Sequence, residues 1–151
     1  MASPDPRATA LALAAGHAMF ARDRASQALG MALAEIRPAY ARLTMSVRED
    51  MLNGHQSCHG GLIFALADSA FAFACNSHNQ IAVGAACSID YLAPARLGDV
   101  LEAEAVEQVL AGRSGIYDVR VTDQAGRVVA LFRGKSHRVG GQVVADTAPG
   151  T

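Results

Sequence analysis

The chain has almost no charge excess. Its 151 residues carry a formal net charge of −1, so the total favours neither nucleic acid nor an anionic membrane as a partner. It is also poor in cysteine. Cys58, Cys75 and Cys87 form an odd set at irregular spacing, which argues against a disulfide framework and makes a reducing cytoplasm the expected location. No run of about 18 apolar residues occurs, so no transmembrane helix is expected. The stretch 8–21 has the length of a short signal-peptide core but lacks the basic flank, because Asp5 stands before it. Leu11, Ala14, Ala15, Ala18, Met19 and Arg22 fit an amphipathic helix there instead. Repeats and linker-like stretches are missing too. One domain over residues 1–151 is expected, with 1–7 and 141–151 as loose tails.

What is present is a chain that is 51% apolar, enough for a substantial core. Residues 8–22 predict a helix and 23–27 a polar break. Residues 31–36 and 41–47 read as strands; in the second, Leu43, Met45 and Val47 alternate with Arg42, Thr44 and Ser46. A loop over 48–59 leads into a helix that runs to Cys75. Strands follow over 81–92, 100–110, 116–122 and 127–139, separated by Pro94 and Gly98, Gly112 to Gly115, and Asp123 to Gly126. The spacing of these four strands predicts an antiparallel meander. A helix, weak strands, one buried helix and then four strands make an α+β pattern, not alternating βα units.

The helix after the loop carries the chemistry. Between Leu62 and Cys75 the strongly polar side chains are Asp68 and Ser69. A helix apolar on all sides is expected to be buried on all sides, with the sheet curled around it. A carboxylate there loses hydration, so it either finds a partner or takes a raised pKa. Asp68 therefore reads as a general base or nucleophile; the plainer reading puts it at a wet edge or on a neighbour's backbone. His59, Gly60 and Gly61 open the helix, where amides lack intrahelical partners and the dipole is positive. Such an end can hold a phosphate or an oxyanion, although two glycines also suit a tight turn. Gly60 and Asp68 lie eight residues apart, about 12 Å along the axis. One carbonyl cannot touch both, so a homodimer with two shared sites is expected.

Several separated runs resemble the hotdog-fold acyl-CoA thioesterases, nearest to those of phenylacetate degradation. They are Asn53-Gly54-His55, Cys58-His59-Gly60-Gly61, Ala67-Asp68-Ser69-Ala70-Phe71-Ala72, Ser88-Ile89-Asp90-Tyr91-Leu92-Ala93-Pro94, Leu97-Gly98-Asp99, and Leu131-Phe132-Arg133-Gly134-Lys135-Ser136-His137-Arg138. They occur in the family's order over about residues 9–140. The resemblance implies a hotdog fold, a curled antiparallel sheet around a long central helix, in dimers that often pair into tetramers. It implies hydrolysis of acyl-CoA thioesters with no cofactor, coenzyme A being part of the substrate. It makes Asp68 the catalytic carboxylate, Gly60 the oxyanion-hole glycine and Asn53 a loop residue at the site. His59 falls where the family has a histidine and Ser69 on a hydroxyl position after the acid; with Gly61 they are expected to bind substrate. Related enzymes carry a serine in the strand after the helix; here Val83-Gly84-Ala85-Ala86 has no hydroxyl.

The CoA phosphates need cations. Arg133 and Lys135 share one strand face with His137 by period two, and Arg113 and Ser114 sit in a turn; a solvated basic face explains them equally well. Metal binding is not expected, because His55, Cys58, His59, Cys75 and His78 lack zinc-type spacing. Cys58 and His59 are adjacent, so their side chains point apart. A hotdog dehydratase or hydratase, and a non-catalytic acyl-CoA binder, stand as rival functions. Phe64, Phe71, Phe73 and Tyr91 could line an aryl pocket or simply pack the core.

Overall fold

The computed structural model describes residues 3–146. Helix α1 spans Pro6–Arg22, starting inside the stretch expected to be loose. The cause is local: the Asp5 carboxylate accepts from the Arg7 N–H, and Pro6 occupies the first turn, where no N–H is needed. The expected polar break is also partly helical. Asp23 caps α2, Arg24–Ala28, by accepting from the Ser26 N–H at 2.9 Å. At the other end, Val144 exchanges two hydrogen bonds with the Asn79 side chain, and Arg7 pairs with Asp146 at 2.7 Å. Residues up to 146 therefore pack back on the body instead of hanging loose.

Strands β1 (Ala32–Arg37) and β2 (Tyr40–Ser46) form a hairpin. A short 3-10 turn, Glu49–Met51, leads to helix α3, Gly60–Cys75. Strands β3 (Ala82–Tyr91), β4 (Val100–Ala111), β5 (Ser114–Thr122) and β6 (Val128–Arg138) complete the chain. All pairings are antiparallel, in the order β1-β2-β4-β5-β6-β3. The meander thus holds for β4, β5 and β6 but not for β3, which pairs with β6 at the edge. Its connection to β4 is too long for a tight hairpin. That segment runs across the end of the sheet, where Leu92 and Ala93 donate to the Val129 carbonyl, Cys58 donates to the Ala95 carbonyl, and the Arg127 guanidinium donates to the Pro94 carbonyl.

Helix α3 packs mainly on β2, β4 and β5. Ile63, Leu66, Ala67, Ala70, Phe71, Phe73 and Ala74 are buried there. Phe71 anchors the contact, with Tyr117 and Phe132 rings 5.6 and 5.9 Å away. Its ring lies against Gly134 so closely that a methyl at that position would stand 2.8 Å from three ring carbons. The Tyr117 hydroxyl donates to Glu107, whose carboxylate also meets His78, both at 2.7 Å. Burial first, and Glu107 second, push the Tyr117 phenol well up.

The helix is not buried on all sides. Gly61 is exposed, and Phe64, Ala65, Asp68 and Ala72 are half-buried. Their spacing places them along one stripe. The neighbouring edge strand is open as well: Val83 to Ser88 are exposed in succession, on both strand faces. Hydropathy reports how apolar the helix is, not how many surfaces one chain has to cover it. No helix among the described residues is long and apolar enough to cross a membrane.

Candidate active site

The site begins in the loop before α3. Asn53 organises it: its Oδ1 accepts from the His55 N–H at 2.9 Å, the Ser57 N–H at 3.2 Å and the Ser57 hydroxyl at 3.2 Å. Its own N–H donates to the Ser57 carbonyl. The amide Nδ2 has no acceptor among the described residues. Residues 52 and 58 close this loop as a β-bridge, and the His59 N–H donates to the Met51 carbonyl. The loop thus delivers His59 to the helix start in a fixed pose.

At that start, most orphan donors find partners. The His59 ring Nδ1 accepts from the Gly61 N–H at 3.1 Å. The His59 carbonyl accepts from the Leu62 and Ile63 N–H groups. The Gly60 N–H has no hydrogen-bond partner among the described residues. Gly60 lines a cleft of about 360 Å³ with Ser57, Cys58, Ile63, Tyr91 and Leu92. One uncommitted amide at a positive helix end is a hydrogen-bond donor ready for an anionic oxygen. Of the two glycines expected here, Gly60 keeps a free N–H and Gly61 does not; His59 serves as the cap.

Asp68 lies on the open stripe of α3. Its carboxylate makes no hydrogen bond or ion pair among the described residues, and burial raises its pKa above the ordinary 3.8. It lines a pocket of about 280 Å³ between α3 and α2, with Ala65, Ala72, Leu29 and Met31 as apolar wall. Ser69 turns toward α2. Its hydroxyl lies 3.2 Å from that of Ser26, which in turn donates to Asp23 at 2.6 Å. This Asp23–Ser26–Ser69 chain lay outside the sequence reading; the Asp-x-x-Ser spacing of a helix cap was its signal.

The cationic candidates lie apart from this pair. Arg133 and Lys135 are exposed on the sheet face away from α3. Arg133 grips Asp118 with two bonds of 2.6 and 2.8 Å, and this holds the Asp118 carboxyl below its usual range. Arg113 and Ser114 sit at the Val83 end of the sheet, since Ser114 pairs with His137 and His137 with Val83. Gly60 stands by Tyr91, at the other end of β3, roughly 27 Å away along the strand. Cys58 is buried and His59 exposed, so the two do not form a thiol–base pair. No group of three His, Cys, Asp or Glu side chains among the described residues could hold a metal ion.

Comparison with known proteins identifies the family and the fold. Residues 55–130 match the model of the thioesterase superfamily. The acyl-coenzyme A thioesterase PaaI of Escherichia coli is 48% identical over 130 residues, 86% of this chain and 93% of that protein. The structure of E. coli PaaI superposes with a TM-score of 0.87 at 47% identity, covering 89% of this chain and 97% of that one. A Streptococcus mutans protein solved with bound acetyl-CoA superposes at 0.72 with 27% identity, covering 74% and 90%. By sequence and by fold, the chain belongs to the thioesterase superfamily and has its hotdog architecture.

Proposed function

We propose that the protein hydrolyses aryl-acyl-CoA thioesters of the phenylacetyl or hydroxyphenylacetyl type to the free acid and coenzyme A, in phenylacetic acid breakdown in the cytoplasm. The observation that carries this reading is a pair of groups on one helix, the half-buried Asp68 carboxylate and the Gly60 N–H, neither with a partner among the described residues. The relatives support it, since one is an acyl-CoA thioesterase and another was solved with acetyl-CoA. In the reaction, Asp68 takes a proton from water as the water oxygen bonds to the thioester carbonyl carbon. The Gly60 N–H stabilises the oxyanion that forms. Collapse of the intermediate breaks the C–S bond, and the proton on Asp68 passes to the leaving thiolate. Direct attack by Asp68, giving a mixed anhydride that water then opens, uses the same two groups.

The two groups sit about 12 Å apart on one helix, so each site takes Gly60 from one chain and Asp68 from another. The open α3 stripe and the exposed β3 edge support a homodimer formed over these surfaces. Two-fold symmetry makes the paired β3 strands antiparallel. That brings the Arg113–Ser114 turn of one chain toward the partner's Gly60, which supports these residues as contacts for the CoA phosphates. Exposed Val106 and Leu131, set among Glu104, Arg120 and Arg133 on the outer sheet face, are offered for pairing dimers into a tetramer.

The test is release of free thiol from phenylacetyl-CoA, followed with a thiol reagent, in the parent and in Asp68→Asn. Turnover in the parent and near-complete loss in a folded variant is the expected result. Full turnover in Asp68→Asn sinks the assignment. Consumption of enoyl-CoA without thiol release identifies a hydratase instead, and binding without any turnover identifies an acyl-CoA binder.

A further inference from the structure

Tyr91, the last residue of β3, meets the helix entrance in two ways. Its hydroxyl donates to the Gly60 carbonyl at 2.8 Å, from 31 positions along the chain. Its ring also covers the glycine: a methyl at position 60 would come within 3.1 Å of the ring carbon Cζ and 3.3 Å of the hydroxyl oxygen. On the far side of the same peptide group, the Gly61 N–H is held by His59 Nδ1 at 3.1 Å. The Gly60–Gly61 peptide is planar, so gripping its carbonyl and its N–H fixes the whole plane. The N–H of Gly60 belongs to the preceding peptide plane, across the φ and ψ of a residue with no side chain to restrain them; the carbonyl of that plane, His59's, is held by the Leu62 and Ile63 N–H groups. The planes on both sides of the Gly60 Cα are thus held, one of them by the Tyr91 hydroxyl, with the ring packed over the Cα between them.

We infer that Tyr91 is a positioning residue for the oxyanion-binding amide, locking Gly60 so that its N–H faces the cleft in which the thioester carbonyl sits. This rests on the thioesterase reading above. It gives the aromatic ring a role distinct from that of a pocket wall. A wall needs the ring alone; the lock needs the hydroxyl. The glycine and the tyrosine are then one device: position 60 carries no side chain because the Tyr91 ring occupies that space.

The experiment is steady-state hydrolysis of an acyl-CoA that the parent turns over, by parent, Tyr91→Phe, Tyr91→Ala and Asp68→Asn, each checked for unchanged oligomer size and for cooperative unfolding well above the assay temperature. Loss of a complete oxyanion donor costs about 100- to 1,000-fold in kcat. Misdirecting one by loss of a single hydrogen bond is expected to cost about tenfold. Tyr91→Phe should therefore lower kcat about tenfold with KM within twofold, and Tyr91→Ala should lower kcat further. A Tyr91→Phe enzyme with kcat within twofold of the parent overturns the lock and leaves the ring as a wall. A raised KM at unchanged kcat also overturns it, because the hydroxyl would then bind substrate directly. If Asp68→Asn keeps its turnover, the catalytic assignment itself has failed; if Asp68→Asn is dead and Tyr91→Phe is normal, only the lock has failed.

Discussion

Replacing Gly134 by alanine adds one methyl group at the point where α3 meets the sheet. That methyl would lie 2.8 Å from the Cδ1, Cδ2 and Cε1 atoms of Phe71, well inside the 3.5–4.0 Å of a favourable carbon–carbon contact. The ring has little room to retreat. Phe71 is 1% exposed, with Tyr117 and Phe132 packed around it, themselves 1% and 3% exposed. Overpacking of this kind costs about 1–3 kcal/mol, which for a chain of this size lowers the melting temperature by roughly 3–10 °C. Thermal and urea unfolding at one fixed protein concentration measure it, since the proposed dimer would make both concentration-dependent. Phe71→Leu in the same chain removes the ring atoms that collide. The double variant should then be more stable than the sum of the two single losses by about 1 kcal/mol or more. A Gly134→Ala protein that melts with the parent, or two losses that simply add, would refute the close packing as the reason for glycine here.

Three further outcomes follow from the site. As the proposed base Asp68 must be ionised, and burial raises its pKa above 3.8, so kcat/KM should fall tenfold per pH unit on an acid limb whose midpoint lies above that value. The stability sign is the reverse: the raised group favours the folded state below the unfolded pKa and opposes it as pH rises through the folded one. Asp68→Asn should accordingly melt higher than the parent at neutral pH and lose that advantage in acid. Asn53→Asp keeps the Oδ1 acceptor that orders the loop but loses the amide donor. It should retain the melting temperature and lose activity, whereas Asn53→Ala should lose both; equal activity in Asn53→Asp would confine the residue to loop building. Mixing Asp68→Asn subunits with Gly60→Val subunits, each inactive alone, should restore part of the activity in verified mixed dimers. No recovery there would count against shared sites.

The sequence made α3 legible because a single acid in a long apolar run has no inexpensive explanation. Strands β4, β5 and β6 were legible from alternation and from the short turns at Gly112 and Gly126. The place of β3 was not. Alternation identifies a strand but not its neighbour, and its pairing with β6 depends on how the segment 92–99 is tied to Val129 and Arg127. Helix α2 was missed because five residues give no period; only the Asp23 cap marks it. The half-open stripe of α3 was hidden for a deeper reason: apolar residues that their own chain leaves uncovered read the same as residues in a core. The contact of Tyr91 with Gly60 joins positions 31 residues apart, and no local pattern announces it.

Strand β3 has one more consequence. Over ten residues it presents an open edge with a single charged side chain, Asp90, and no proline. Proteins usually blunt such edges with lysines, prolines or a covering loop. Here the blunting amounts to a bulge near Ala85, and the adjoining helix stripe is left bare as well. A newly made chain therefore leaves the ribosome with an adhesive border. On the proposed dimer, that border is safe only once a second copy has covered it, so the fate of each molecule is decided by a race between its twin and every other exposed strand in the cell.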